Sequence, residues 1–233
     1  MSQPAPSNWK ALFTSGGTIR TFMEQGEKMD SISKIYLKQR SGREKDFGRS
    51  VRSLVYGLWR GELDLFTFID TMVFTLERNL TQAWYEGAAQ CGVKSSELTE
   101  AETNARRDFI ANQYAYLLGF ADAVNKGSKA NKGKLGPLIE RSDLWVGRYA
   151  EAKYAGMQMA CKDKKLKFVR GPTSDPCEDC IGFDGKVYRA STWLAANIRP
   201  RARNLKCRGY KCLCKFVVTD DPITPGSPPS LSG

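Results

Sequence analysis

The chain of 233 residues contains no histidine, and this absence excludes several kinds of site. Without an imidazole there is no Ser-His-Asp triad, no Cys-His nucleophile pair and no histidine general base or zinc ligand. Any catalytic group would have to be a carboxylate, Lys, Tyr or Cys. Any metal site would have to be built from cysteines or carboxylates.

Long apolar runs are also missing. No stretch of about 18 consecutive apolar residues is present, so we expect no transmembrane helix. The first ten residues, MSQPAPSNWK, lack the basic and then apolar pattern of a signal peptide. A hydrophobic content of 41% with 11% aromatic residues is too high for a disordered chain. We therefore expect a folded protein of a reducing cytoplasm, where clustered cysteines bind metal rather than form disulfides.

Acidic residues are absent from one segment of a basic chain. The chain has 36 Lys and Arg against 25 Asp and Glu, a net charge of +11, and residues 186–216 contain nine Lys or Arg and no acidic residue. A basic stripe is ordinarily a solvated face, but beside a cysteine cluster it favours an anionic partner such as nucleic acid. The side chains expected to contact phosphates are Arg199, Arg201, Arg203, Arg208 and Lys211.

Helical periodicity dominates the chain up to about residue 165. A helix over residues 49–59 precedes a long helix that begins near Glu62 and ends near residues 87–92. The predicted buried face of the long helix consists of Phe66, Ile69, Val73, Leu76, Leu80 and Trp84. Thr99 and Glu102 have the spacing of a capping box at the start of the next helix. After a flexible basic loop, Gly136-Pro137 opens a further helix.

After about residue 165 the apolar runs become short and Pro and Gly become frequent. Residues 168–169, 187–188 and 216–218 are predicted as strands, with Asp184-Gly185 as a tight hairpin turn. The sequence therefore predicts an α+β, mostly α fold: a helical bundle followed by a small β-rich, zinc-stabilised module. The predicted divisions are a partly flexible N-terminal segment 1–44, a helical domain 45–165, a four-cysteine module 166–219 and a flexible tail 220–233.

Five of the seven cysteines lie within one short window. Cys177 and Cys180 form a Cys-x2-Cys pair, and Cys207, Cys212 and Cys214 follow after a gap. Two such groups complete the tetrahedral thiolate shell of a structural zinc ion, which leaves no open position for water. The preferred ligands are Cys177, Cys180, Cys207 and Cys212, with Cys214 able to replace Cys212. A four-thiolate site also holds iron, so zinc is a preference.

The two remaining cysteines, Cys91 and Cys161, stand alone near predicted helix ends. Isolated cysteines in such positions are typically small buried apolar side chains, and this is the role expected for both.

The cysteine segment resembles a known family. It is similar to the C-terminal module of tailed-phage head-morphogenesis proteins, the Mu-F-like minor head proteins. The residues that carry the resemblance are Cys177, Cys180, Phe183, Asp184, Gly185, Lys186, Val187, Tyr188, Pro200, Cys207, Cys212 and Cys214. Upstream, residues 58–63 followed by an amphipathic helix resemble the same family, so the resemblance covers roughly residues 45–220.

One feature departs from that family's pattern. The family closes its module with His-Pro-x-Cys-Arg-Cys, whereas this chain has Cys207-Arg-Gly-Tyr-Lys-Cys212-Leu-Cys214. Cys207 takes the place of the histidine, with the spacing lengthened by two residues. This difference favours a metal site made of cysteines alone, and it would make the chain a divergent member of the family that it resembles.

The resemblance implies a non-enzymatic minor head protein that acts in head assembly and in DNA packaging or delivery. Its implied partners are the portal protein, the major capsid protein or both, with packaged DNA as a further partner and no membrane. Its implied location is the head interior or portal vertex of the virion, after assembly in the host cytoplasm.

Two other functions compete with this prediction. The first is a free-standing nucleic-acid-binding zinc protein such as a regulator, in which Trp193 or Tyr210 would stack on bases unless it packs in the core. The second is a metal-dependent nuclease, because Asp175 and Asp184-Gly-Lys186 imitate the spacing of a Mg²⁺ site. Short acidic patterns of that kind are common, and a hairpin turn at Asp184-Gly185 with Asp175 in a loop before Pro176 explains these residues better.

Overall fold

The computed structural model describes residues 42–173, 175–209 and 212–231. Four long α-helices come first: α1 (Gly42–Arg60), α2 (Leu65–Ala89), α3 (Glu100–Lys126) and α4 (Leu135–Ala160), with a short 3-10 helix at Ser95–Glu97 between α2 and α3. Most of the predicted N-terminal segment 1–44 lies outside the described residues. None of the helices in the described ranges has the length and apolar character needed to cross a membrane.

Side-chain caps fix where α2 and α3 begin. Asp64 accepts a hydrogen bond from the backbone N–H of Thr67 at 2.8 Å and so caps α2. The capping box predicted at α3 is confirmed, because Glu102 accepts from the Thr99 N–H at 2.7 Å and Thr99 Oγ1 accepts from the Glu102 N–H at 3.3 Å. These bonds satisfy N–H groups that a helix leaves without partners in its first turn.

The predicted apolar face of α2 is confirmed over its second half and is wrong at its first residue, Phe66. Phe68, Met72, Leu76, Leu80 and Trp84 are buried, whereas Phe66 is 68% exposed. The first half of α2 has apolar residues at most positions, so periodicity alone could not distinguish two adjacent faces.

Helices α2 and α4 approach each other unusually closely at two glycines. A Cβ atom on Gly87 would lie 1.8 Å from the Lys153 carbonyl oxygen, and one on Gly156 would lie 2.3 Å from the Trp84 carbonyl oxygen. Each glycine therefore allows one helix backbone to contact the other, and any larger residue would separate the helices.

The C-terminal module is a three-stranded antiparallel sheet with two short helices. Strands β1 (Lys165–Val169), β2 (Val187–Arg189) and β3 (Lys215–Val218) lie in the order β2-β1-β3, and helices α5 (Glu178–Phe183) and α6 (Ala190–Ala195) flank β2 in the chain. All three predicted strands are confirmed. The α+β, mostly α class is also confirmed.

The turn at Asp184-Gly185 differs from the prediction. Phe183 is the last residue of α5, and Gly185 has φ +77°, so the turn connects a helix to β2 rather than two strands of a hairpin. The Cys177–Cys180 segment folds as a helix, which places Phe183 in the aromatic core of the module. There it packs against Phe168 and Trp193.

Helix α4 belongs to both hydrophobic cores. Trp145, Val146, Tyr149 and Ala152 pack in the bundle, while Ala150, Tyr154, Met157 and the following Cys161 pack with the module. The segment after β3 also returns to the module, where the Thr224 N–H donates to the Val187 carbonyl at 2.9 Å and the Tyr188 hydroxyl donates to the Ser227 carbonyl at 3.2 Å. A flexible tail was predicted from residue 220, yet this part of it is bound along β2.

Candidate metal centre

All five clustered cysteines come together in the fold. Their sulfur atoms form two groups of three, Cys177 with Cys180 and Cys207, and Cys180 with Cys212 and Cys214. Within each group the sulfur atoms lie within 4.8 Å of one another, and Cys180 belongs to both. In a tetrahedral zinc site with Zn–S bonds of about 2.3 Å, neighbouring sulfur atoms are separated by about 3.8 Å. The cluster therefore has the dimensions of a thiolate metal site.

Local structure explains how the first pair faces the cluster. Cys177 is the N-cap of α5, and its sulfur accepts from the Cys180 backbone N–H at 3.5 Å. The first turn of α5 thus places the two sulfur atoms on one side of the helix, at the helix N-terminus, where the backbone N–H groups favour negative charge. Cys180 is buried and Cys177 is half-buried.

Asp179 connects the two halves of the cysteine cluster. Its carboxylate is 4% exposed and accepts from the Lys206 backbone N–H at 2.7 Å, while the Lys206 ammonium pairs with Glu178. These bonds hold Cys207 beside the start of α5. The sequence gives no signal for this role of Asp179, because Lys206 is 27 residues away in the chain.

Gly171 sets the position of the last two cysteines. A Cβ atom at Gly171 would lie 2.4 Å from the backbone carbon of Leu213, the residue between Cys212 and Cys214. The absence of a side chain at position 171 therefore lets the Cys-x-Cys segment approach the end of β1 before it enters β3. A close contact of this kind between distant segments gives no signal in the sequence.

The thiols affect one another's protonation. Hydrogen bonds with the neighbouring thiols and burial raise the pKa of Cys180, whereas the hydrogen bonds that Cys180 and Cys212 supply lower the pKa of Cys214. The cluster therefore favours the thiolate form of Cys214 while Cys180 keeps its proton and donates it in a hydrogen bond. A metal ion supplies positive charge in place of that proton, which is the ordinary coupling between thiolate metal binding and proton release.

The residues present fit a four-thiolate site. The two groups of three thiols together supply enough sulfur atoms for a four-coordinate shell, and neither group contains a histidine or a carboxylate. Cys212 and Cys214 both lie in the same group as Cys180, so each is placed to supply a ligand. The set Cys177, Cys180, Cys207 and Cys212 stays a prediction, as does zinc over iron.

Two arginines of the basic segment next to the cluster contact the helical bundle instead of facing solvent. Arg201 is 5% exposed, and its guanidinium donates to Glu44 of α1 at 2.8 Å. Arg203 donates to Gln113 of α3 at 3.0 Å and lies over the Tyr116 ring at 4.5 Å. These two predicted phosphate contacts therefore hold the module against the bundle, and Arg201 has little surface to offer to a phosphate.

The other predicted phosphate contacts differ in exposure. Arg199 is half-buried, donates to Asn197 at 3.3 Å and has a lowered pKa because burial disfavours its charge. Arg208 is exposed, and its carbonyl accepts from buried Arg148 at 3.3 Å. Lys211 and Tyr210 lie outside the described residues. Trp193, the other candidate for base stacking, is fully buried in the aromatic core.

The acidic residues of the nuclease hypothesis lie elsewhere. Asp184 accepts from the Arg170 backbone N–H at 2.9 Å, and its second oxygen lies 3.5 Å from the Arg170 side chain. Asp175 is exposed. Among the described residues, neither aspartate belongs to a group of three metal-ligating side chains.

Cys91 and Cys161 are not solitary, which corrects the prediction. They form a disulfide between the end of α2 and the end of α4, with their Cα atoms 5.4 Å apart. This separation is typical of disulfides. Periodicity did not reveal the pair because the two cysteines are 70 residues apart and meet only through the packing of α2 on α4.

Comparisons with known proteins identify no relative of this chain. No protein-family model, no curated protein and no solved structure matches the chain. The resemblance to phage minor head proteins therefore stays a prediction from the residues quoted above.

Proposed function

We propose that this protein is a non-enzymatic minor head protein of a tailed phage, in which the five-cysteine cluster holds one structural zinc ion. It acts at the portal or capsid during head assembly and DNA packaging or delivery. The observation that carries the metal assignment is the convergence of two separate cysteine segments on the shared Cys180. The family resemblance of the cysteine segment supports the role in the phage head.

A structural rather than catalytic metal follows from the ligand set. Four thiolates fill the coordination shell and leave no place for a water nucleophile. A bound ion would join Cys177–Cys180 to the segment that contains Cys207, and thereby fix the residues between them. Among these residues, Arg201 and Arg203 contact α1 and α3. By fixing these residues, the ion would stabilise the contact between the module and the bundle.

Metal analysis of the purified full chain tests the assignment. We expect about one zinc per chain, measured by elemental analysis and by native mass spectrometry. Cys180→Ser should lose the ion and loosen the module, because Cys180 belongs to both sulfur groups. Cys91→Ser is the matched control and should keep the zinc, since Cys91 is bonded to Cys161 instead. Full zinc retention in Cys180→Ser would contradict the site.

The ligand choice has a separate test. If Cys212 is the fourth ligand, Cys212→Ser should lose zinc and Cys214→Ser should retain it. The opposite result would assign the position to Cys214. Iron in place of zinc would be recognised by its visible thiolate charge-transfer absorption, which zinc lacks because its d shell is full.

The phage role is tested by co-expression with the portal and major capsid proteins encoded in the same genome. We expect the protein to co-purify with one of them and to be present in purified particles, either in the head interior or at the portal vertex. Absence from particles and from both partners would contradict the role. Saturable DNA binding with a steep salt dependence, without either partner, would instead favour the free-standing nucleic-acid-binding protein.

A further inference from the structure

The two edge strands of the module's sheet, β2 and β3, differ in whether another segment hydrogen-bonds to their outer side. The edge at β2 is covered, because the Thr224 N–H donates to the Val187 carbonyl and the Val187 N–H donates to Thr224 Oγ1, each at 2.9 Å. The opposite edge is β3, whose one strand partner within the described ranges is β1, in the sheet order β2-β1-β3. No described residue covers the outer side of β3 with backbone hydrogen bonds.

The register shows which backbone groups β3 leaves open. The Thr219 N–H donates to the Lys165 carbonyl at 3.1 Å, and Lys167 is opposite Val217, so the odd-numbered residues of β3 direct their backbone groups toward β1. Backbone groups alternate in direction along an antiparallel strand. The N–H and C=O groups of Phe216 and Val218 therefore point away from the sheet, where another strand can pair with them.

A groove lies beside this open edge. It has a volume of about 450 Å³ and is lined by Gln90, Lys153 and Tyr154 together with the four residues of β3. Val217 and Val218 are 39% and 38% exposed, so the strand offers apolar as well as backbone surface. Among the residues that the structure describes, the ionic groups in the lining are the ammonium groups of Lys153 and Lys215, and no carboxylate lines the groove.

We propose that this groove binds an extended acidic segment of a partner protein, which adds to β3 as a further strand. Backbone hydrogen bonds to Phe216 and Val218 supply the affinity common to strand addition. Because Val217 and Val218 face opposite sides of the sheet, side chains on both faces of the added strand would pack on them, one valine on each face. Carboxylates on the segment would pair with Lys153 and Lys215, which sets the charge of the partner. The groove adjoins the cysteine cluster at Lys215, but none of the five cysteines lines it, so the inference does not depend on the proposed phage role.

A peptide of alternating Glu and Val, eight residues long and fluorescently labelled, is the probe. Fluorescence anisotropy with the full zinc-loaded chain should show saturable binding, and a Lys-Val peptide of equal length should bind at least tenfold more weakly. Two N-methylated forms of the Glu-Val peptide, one modified at odd and one at even positions, test the backbone contacts. At least one form should lose binding, because N-methylation removes donors that face β3.

Variants of the protein locate the binding surface. Lys153→Glu with Lys215→Glu should weaken binding tenfold or more. Lys129→Glu with Lys134→Glu makes the same charge change near the start of α4, about 30 Å away along the helix, and should leave binding unchanged. Val218→Pro removes an outward-facing N–H and should also abolish binding; the N-methylated peptides test the same contact on the unaltered chain.

Several results would overturn the proposal. These are the absence of saturable binding, equal binding of the Lys-Val peptide, and equal weakening by the two lysine pairs. Full binding of both N-methylated peptides would rule out strand addition. Self-association of the chain that the Lys153 and Lys215 changes abolish would identify a second copy as the occupant instead.

Discussion

Replacing Glu44 by Gln removes the negative partner of a buried charge that joins the module to the bundle. The side chains of Arg201 and Glu44 are each 6% exposed, and their charged atoms lie 2.8 Å apart. Breaking a buried pair by neutralising one partner costs about 3–5 kcal/mol, because the remaining charge stays in a poorly solvated site. We therefore expect Glu44→Gln to lower the free energy of unfolding by about 3 kcal/mol. Arg201→Met should have a similar effect.

The double variant distinguishes pairing from unrelated damage. Removing both charges eliminates the uncompensated charge, so the double change should cost at least about 2 kcal/mol less than the sum of the single changes. The assay is urea unfolding at neutral pH, followed by circular dichroism and tryptophan fluorescence. Asp46→Asn is the matched control, because its pair with Arg49 on the same helix is about 60% exposed on both sides. It should cost less than about 1 kcal/mol.

Two outcomes would refute this reasoning. In the first, both single variants lower the free energy of unfolding by less than the Asp46→Asn control does, and the effect of the double variant equals the sum of the two. The other is that Arg201→Met leaves stability unchanged but weakens DNA binding, which would mean that Arg201 reaches a phosphate at the surface.

Further predictions concern packing, pH and the disulfide. Gly87→Ala should cost about 2–3 kcal/mol in urea unfolding because its Cβ would overlap a backbone oxygen of α4, whereas Gly119→Ala, with open space around it, should be neutral or stabilising. Burial raises the pKa of Tyr154 from 10.0 to about 12. The stabilisation that comes from keeping this phenol neutral in the folded state is therefore complete below pH 10.0 and is lost as the pH rises toward about 12. Between pH 10 and 12 the free energy of unfolding should therefore fall less in Tyr154→Phe than in the parent protein, by about 3 kcal/mol in total. Without reductant, Cys91→Ser with Cys161→Ser should lower stability by about 4 kcal/mol, because the bridge closes a loop of 70 residues, while the zinc content should stay the same. A variant as stable as the parent would show that the bridge is not formed.

Features that depend on neighbouring residues could be predicted from the sequence. The Thr99–Glu102 capping box and the three short strands each depend on spacings of a few residues. The gathering of the two cysteine groups also followed from chemistry, since thiols spaced in this way commonly share one ion.

Features that depend on long-range packing could not be predicted. Phe66 is wrongly predicted as buried because the first half of α2 has apolar residues on several sides, and only the neighbouring helices select Phe68 instead. Arg201 was expected at the surface because it lies in a basic stripe, but its partner Glu44 is 157 residues away in the chain. The sequence alone does not show which of many possible charge pairs the fold brings together.

The long separation between Glu44 and Arg201 has a consequence for synthesis on the ribosome. The bundle helices emerge first, and α1, α2 and α3 can assemble while Arg201 is still untranslated. Glu44 then remains hydrated until the module arrives. Cys214 follows Arg201, and Thr224, which closes the β2 edge, comes later still. The cysteine cluster and the sheet are therefore completed late in folding, and a chain arrested before Cys214 should expose the bundle surface that the module normally covers.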